Sequence, residues 1–326
     1  MRVAITGANG LLGHHVVHEL LQRGDEVTVI VRSTNKLFFD TAKVHIIQGD
    51  FTEFDKISEL VHNCDAVIHI AAVTSTDLLH YKDYEDVNVT ATDQLIKAAT
   101  AAGIRNYVFV SSANTIGYGH KKKPADESYP SQAPFKDSFY TKSKLEGENL
   151  FMELAADSEN HVIIINPSFM IGKYDTKPSS GRLMLMGYKK RLMFVPGGGK
   201  NFVAASAVAA ACCNALTMGV SGNRYLATGI DLSFRKFYKK QRKIGEYPQK
   251  LIKLPDFILR IAGWAGDLIR LMGIKTSLST VNIKQLLVRE YYSNKKARKD
   301  LKLARTDIDS VVLEALTWFK ENDYIK

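Results

Sequence analysis

The amino-acid sequence predicts an α/β fold: a doubly wound parallel sheet followed by a smaller C-terminal lobe. Three observations carry that expectation. Short apolar, β-branched runs alternate with stretches of helical periodicity through the first half. A glycine-rich turn joins the first such run to the first helical stretch. Beyond Gly172 the chain becomes less regular and more basic. Apolar strands of four to six residues between helices fit a sheet covered on both faces, with right-handed crossovers.

The elements follow in order. Arg2–Thr6 is a buried strand ending at Gly7, and 11–23 has apolar residues at helical spacing. Glu26–Val31, 44–47 and 66–70 repeat the strand pattern. A helix is expected over 87–102, stopped by Gly103, then a strand over 106–111 that includes Ser111. A helix over 138–154 and a strand over 161–165 complete the alternation. Residues 1–172 thus form a dinucleotide-binding Rossmann domain and 173–326 a substrate lobe. Segments 201–203 and 224–227 are candidates to return to the main sheet. No repeat or low-complexity tract interrupts the chain.

Composition narrows the class. The 326 residues are 45% hydrophobic and 24% charged, ordinary for a globular protein. The cysteines, Cys64, Cys212 and Cys213, match neither a disulfide framework nor a metal-ligand spacing, so a reducing, cytoplasmic setting is expected. The first residues enter a strand directly, without a signal-peptide layout, and no apolar run reaches membrane-spanning length. The nine histidines show no metal-ligand pattern; His14 and His15 read as surface or packing residues. The net charge of +10 is uneven: residues 1–150 carry 15 Lys and Arg against 19 Asp and Glu, whereas 231–300 carry 17 against 6. No nucleic-acid-binding motif accompanies that charge. The stretch 255–273 is apolar with a few charges and flanking lysines. It reads as an amphipathic helix over the substrate cleft, with contact to a membrane surface as the alternative.

The phosphate loop is Gly7-Ala8-Asn9-Gly10-Leu11-Leu12-Gly13. Gly7 permits the tight turn, Gly10 lets backbone approach a pyrophosphate, and Gly13 lets the helix pack close. The helix N-terminus then offers unpaired N–H groups to the anion. Arg32 follows the second strand, where an acidic residue would select the ribose diol; with Lys36 nearby it favours a 2′-phosphate, hence NADP, with NAD the alternative. Asp50 and the Phe51 backbone are placed to read an adenine edge. Ala71, Ala72 and Val73 let the chain run beside the cofactor.

Tyr140 and Lys144 sit four apart on one helical face. A phenol titrates near ~10, and a neighbouring ammonium is expected to lower that value. Ser112 ends a strand at the rim where ligands bind, and its hydroxyl can donate to a carbonyl oxygen. Together Ser112, Tyr140 and Lys144 form the candidate catalytic set.

Gly7–Gly13, this set and Asn166-Pro167-Ser168-Phe169-Met170-Ile171-Gly172 resemble the extended short-chain dehydrogenase/reductase superfamily. Arg32 and the KYDTKPSSGR stretch at 173–182 are similar to its dihydroflavonol 4-reductase-like branch. The resemblance implies that Pro167, Ser168, Phe169 and Met170 lie beside the nicotinamide. It implies that Ser179 or Ser180 contacts cofactor or substrate and that Asn88 is structural; Asn114, Ser179, Ser180 and Arg182 are the candidates for substrate contact. It also implies a homodimer through the helices that hold Asn88 and Tyr140. Where nucleotide-sugar epimerases of the superfamily carry an R-[DE]-[FY]-[IV]-x-V-x-D stretch, this chain has 200–207 with Ala207 in place of the Asp. The expected function is therefore reduction of an aldehyde or ketone by NADPH. The alternatives are a sugar epimerase or dehydratase holding NAD, and a non-catalytic dinucleotide sensor or scaffold.

Overall fold

The computed structural model describes residues 1–326. Its centre is a seven-stranded, wholly parallel sheet built from β1 (Arg2–Thr6), β2 (Glu26–Val31), β3 (Val44–Gln48), β4 (Ala66–His69), β5 (Asn106–Val110), β6 (His161–Pro167) and, after three strands that lie elsewhere, β10 (Asn223–Ala227). The spatial order is β10-β6-β5-β4-β1-β2-β3. The chain winds outward from β1 to β3, then crosses back to place β4 on the other side of β1. That reversal opens a crevice at the carboxyl ends of β1 and β4, the usual ligand position in such sheets.

Successive side chains of a strand point to opposite faces, and here both faces are dry. Val3, Ile5, Val108, Val110, Ile163 and Ile165 join one core layer with α1 (Leu11–Gln22). Ala4, Val67, Tyr107, Phe109, Val162 and Ile164 join the other. The second layer includes residues of α2 (Phe54–Val61), of α4 (Ala91–Ala101), and Phe151 of α5 (Phe139–Leu154). α4 is entered through α3 (Lys82–Glu85) and a π-helical turn, Asp86–Thr90. Ser138 caps α5 by accepting from the Thr141 N–H at 3.1 Å.

The second half is interleaved with the first. α7 (Ala205–Asn214) packs on α1, and β10 closes the sheet beside β6 as expected. The segment 201–203 does not join that sheet. It lies in β9 (Gly199–Ala204), which pairs with β7 (Phe169–Ile171) and β11 (Ile230–Ser233) in a separate three-stranded sheet. The free edge of β6 is taken by β10, and β9 pairs instead with β7 and β11. A two-stranded sheet of β8 (Leu192–Val195) and β12 (Lys250–Lys253) lies in the lobe. The lobe helices are α6 (Gly181–Gly187), α8 (Phe234–Ile244), α9 (Asp256–Leu271), α10 (Thr280–Leu287), α11 (Lys295–Asp300) and α12 (Ile308–Glu321). Phe237, Val312 and Phe319 of this lobe belong to the same apolar cluster as Val3 and Ile5, so one core runs through both parts. β5 stops at Val110, one residue before the expected end, although the Ser111 N–H still donates to the Ile165 carbonyl at 2.7 Å.

Candidate active site

The glycine turn sits at the crevice between β1 and β4. Gly7 has φ +75°, and a Cβ there would come 2.7 Å from the Ala71 nitrogen. A Cβ on Gly13 would come 2.1 Å from the Gly7 carbonyl oxygen, so the first turn of α1 is pressed against the loop. Gly10 differs: a Cβ there meets only the Gly7 carbonyl, at 3.4 Å, and otherwise open space. Gly10 is also the N-cap of α1 and has no side chain to satisfy the first N–H groups, which include those of Leu11 and Leu12. A cradle open to solvent and lined by free amides at a helix start fits a pyrophosphate. The Asn9 carbonyl accepts from the Thr176 hydroxyl at 3.1 Å, which brings the 173–182 stretch against this loop.

The Thr6 hydroxyl accepts from the Ile70 and Ala71 N–H groups, both at 3.1 Å, and contacts His69 Nδ1 at 2.6 Å. With both lone pairs occupied, the Thr6 proton points to Nδ1. His69 Nε2–H therefore donates to Thr92 Oγ1 at 2.9 Å, and Thr92 donates to the Asn88 carbonyl at 3.0 Å. Burial holds His69 well below the usual imidazole range, in keeping with this neutral tautomer. Asn88, inside the π-helical turn, accepts from the Val73 N–H and donates to the Val73 carbonyl and the Ser143 hydroxyl. The 71–73 strip is thus held between the glycine turn and α5. The Thr6–His69–Thr92 chain has no signature in the sequence, because its members come from three separate elements.

Arg32 is exposed at the end of β2, with its guanidinium 3.9 Å from Asp50. Asp50 is engaged mainly by Thr52, whose N–H and hydroxyl donate to it at 3.0 and 2.8 Å. Phe51 packs its ring against His69 in the core, leaving only backbone for adenine contact. Lys36 lies over the Tyr324 ring at 5.5 Å.

The three candidate catalytic residues meet at the end of β5. Lys144 Nζ donates to the Val110 carbonyl at 2.7 Å and sits 4.2 Å from the centre of the Phe109 ring. Ser112, two residues further along, lies close enough to the Tyr140 phenol to draw its pKa down. Lys144 is 2% exposed. Burial pushes its ammonium down to about 7, with Glu148 one turn further along α5 acting against that shift. The expectation that Lys144 lowers the Tyr140 pKa is not met: burial raises the phenol, and only Ser112 draws it the other way. An amine that loses its proton near neutrality carries no charge in the range where a phenol titrates.

Around this set lie groups that sequence reasoning missed. Buried Glu148 accepts from Thr115 Oγ1 and Asn166 Nδ2, both at 2.6 Å, with Arg224 at 3.7 Å. Its place four residues past Lys144 was a readable signal. Ser168 donates to Asn201 Oδ1 at 2.6 Å, and Asn201 donates to Asp231 at 2.6 Å. Burial pushes Asp231 up to about 6. Lys200 pairs with buried Glu290 and lies over the Phe135 ring. The other candidates scatter. The Asn114 N–H donates to Ser112 Oγ at 3.2 Å, placing Asn114 beside the set. Ser179 and Gly181 donate backbone N–H groups to Asp175, the Ser180 hydroxyl is buried without a partner, and Arg182 is exposed. None of Ser179, Ser180 and Arg182 bonds to Ser112, Tyr140 or Lys144. Pro167 ends β6, and Phe169 and Met170 begin β7. His14 and His15 are buried packing residues; His14 contacts the rings of Phe38, Phe39 and Tyr174.

Residues 3–227, glycine turn and Tyr–Lys helix included, match the NAD dependent epimerase/dehydratase family. The chain belongs to that family. This epimerase/dehydratase-family protein is 26% identical to a putative dihydroflavonol 4-reductase of Synechocystis sp., over 99% of this chain and 95% of that one. It is 26% identical to sterol demethylase protein B of Methylococcus capsulatus, over the full length of both. Among solved structures, UDP-glucose 4-epimerase of Thermotoga maritima with UDP-glucose superposes with a TM-score of 0.79 at 17% identity, over 99% of each chain, a likeness of fold. As a member of the family, the protein is an NAD(P)-dependent oxidoreductase. No helix is long and apolar enough to cross a membrane.

Proposed function

We propose that this protein reduces an aldehyde or ketone, with NADPH as its cofactor, in the manner of a dihydroflavonol 4-reductase. The observation that carries this reading is the meeting of Ser112, Tyr140 and Lys144 at the carboxyl end of β5, beside a strip tied to the glycine turn. When bound, the dinucleotide supplies the hydride. Gly10 and the first amides of α1 hold its pyrophosphate, and Ala71–Val73 border it.

The Ser112 hydroxyl donates to the substrate carbonyl oxygen and stabilises the charge that develops there. The Tyr140 phenol, raised by burial, is fully protonated at neutral pH and serves as the proton donor to that oxygen. Lys144 uses one N–H for Val110 and keeps at least one more for a ribose hydroxyl. Arg32, exposed and only loosely paired, supports a preference for the 2′-phosphate of NADP. Ala207, and the name of the Methylococcus relative, support a non-nucleotide carbonyl compound as substrate.

Tyr140→Phe tests the assignment. Turnover of NADPH against a carbonyl panel is expected to fall by about 10²–10⁴-fold, the usual contribution of general acid catalysis, with NADPH affinity unchanged. Retained turnover removes Tyr140 from the reaction.

A further inference from the structure

α9 presents an apolar face that nothing in the chain covers. Phe257, Ile261, Trp264, Leu268, Leu271 and Met272 are all exposed, Trp264 to 64% and Leu271 to 83%. At ~100° per residue they fall within an arc of about 100°, and no charged residue lies on it. The opposite side is committed to the protein. Gly263 and Gly266 are buried against α10 and the loop before it; a Cβ on Gly266 would come 2.2 Å from the Leu278 carbonyl oxygen. Arg270 donates to the Asp77, Leu78 and Thr276 carbonyls, and Asp267 accepts from the Thr280 N–H. These contacts fix the helix with its apolar side outward. Contiguous exposed apolar surface of this kind marks an interaction site.

The border is net cationic, with four exposed cations against one exposed carboxylate, Asp256. Lys250 and Lys253 on the strand leading into α9, Arg260 at its edge and Lys275 just beyond it are exposed, and none pairs with a carboxylate. Leu192, Phe194 and Ile252, on β8 and β12, add further exposed apolar surface on the same approach to the helix. A second copy docking face to face would bring one cationic border against another. A helix of this length reaches only about 24 Å, so it lies along an interface rather than across a bilayer.

We propose that α9 seats this protein on the surface of an anionic phospholipid bilayer. Its apolar face enters the headgroup boundary, and Lys250, Lys253, Arg260 and Lys275 contact lipid phosphates. The proposal is independent of the reaction assigned above, because its readout is lipid binding.

The chain has two tryptophans, and Trp318 is buried, so a change in emission on lipid addition reports Trp264. Full-length protein is mixed with vesicles of phosphatidylcholine and phosphatidylglycerol, or of phosphatidylcholine alone, and followed by flotation and tryptophan emission. A blue shift and co-flotation are expected with the anionic vesicles. Ile261→Glu, at an exposed position, and the Lys253→Glu/Lys275→Glu pair should each weaken binding by about tenfold or more, with NADPH binding as the check on folding. The proposal is overturned by three outcomes: no binding to anionic vesicles, equal binding by the variants, or a blue shift without lipid that grows with protein concentration and marks self-association.

Discussion

Replacing Lys144 by Met should stabilise the fold near neutral pH while destroying turnover. Burial lowers the Lys144 pKa from 10.5 to about 7. At ~1.4 kcal/mol per unit, holding the protonated amine inside costs on the order of 4–5 kcal/mol. Removing the amine relieves that cost but leaves the Val110 carbonyl without its donor, a loss of about 1–3 kcal/mol. It also forfeits the contact with the Phe109 ring, about 1 kcal/mol. The net gain is on the order of 1–2 kcal/mol, or about 2–3 °C in melting temperature for a chain of this size. The pH dependence has a definite sign. Below pH ~7 the amine is protonated in both states and the cost is complete. Between pH ~7 and ~10.5 only the unfolded chain holds the proton, so the wild type gains stability as pH rises; above that range the cost is gone. Thermal melts of wild type and Lys144→Met at several pH values test this. The advantage of the variant should shrink from pH 7 to pH 10 and then reverse. A difference that stays flat across that range, or a variant less stable already at pH 7, refutes the view that Lys144 is held at an electrostatic cost.

The remaining predictions concern the cofactor end and the second sheet. Gly13→Ala drives a methyl into the Gly7 carbonyl, and since backbone on both sides must move, NADPH affinity in calorimetry should collapse along with several degrees of melting temperature. Arg32→Glu should weaken NADPH by about 10–100-fold, the worth of charge-assisted bonds to a phosphate, and leave NADH affinity little changed; equal effects on both would remove Arg32 from cofactor choice. Asp231 is held up at about 6, so its folded form keeps a proton that the unfolded chain has lost between pH 4 and 6, and wild-type stability falls as pH rises through that range. Asp231→Asn should therefore melt higher than wild type at pH 8, with the gap closing by pH 4, as differential scanning fluorimetry can show.

Much of this protein was legible from the residues alone. The glycine spacing after Arg2–Thr6 placed the turn between the first strand and α1, because a tight turn and a close helix approach each demand a missing Cβ. Tyr140 and Lys144 could be put on one helical face, and Ser112 at a strand's carboxyl rim, because helix and strand periods are local properties. The interior strands read correctly for the same reason. Other features depend on partners distant in the chain. β9 left the main sheet because β10 holds the edge of β6. The state of Lys144 follows from how completely β5 and Glu148 enclose it, and burial has no signature in a pair of letters. The Ser168–Asn201–Asp231 contact joins three elements through side chains alone. Periodicity likewise showed that 255–273 has an apolar face, but only the packing of Gly263 and Gly266 on α10 decided that this face points to solvent. Local geometry is written residue by residue, whereas the choice among competing partners belongs to the whole folded chain.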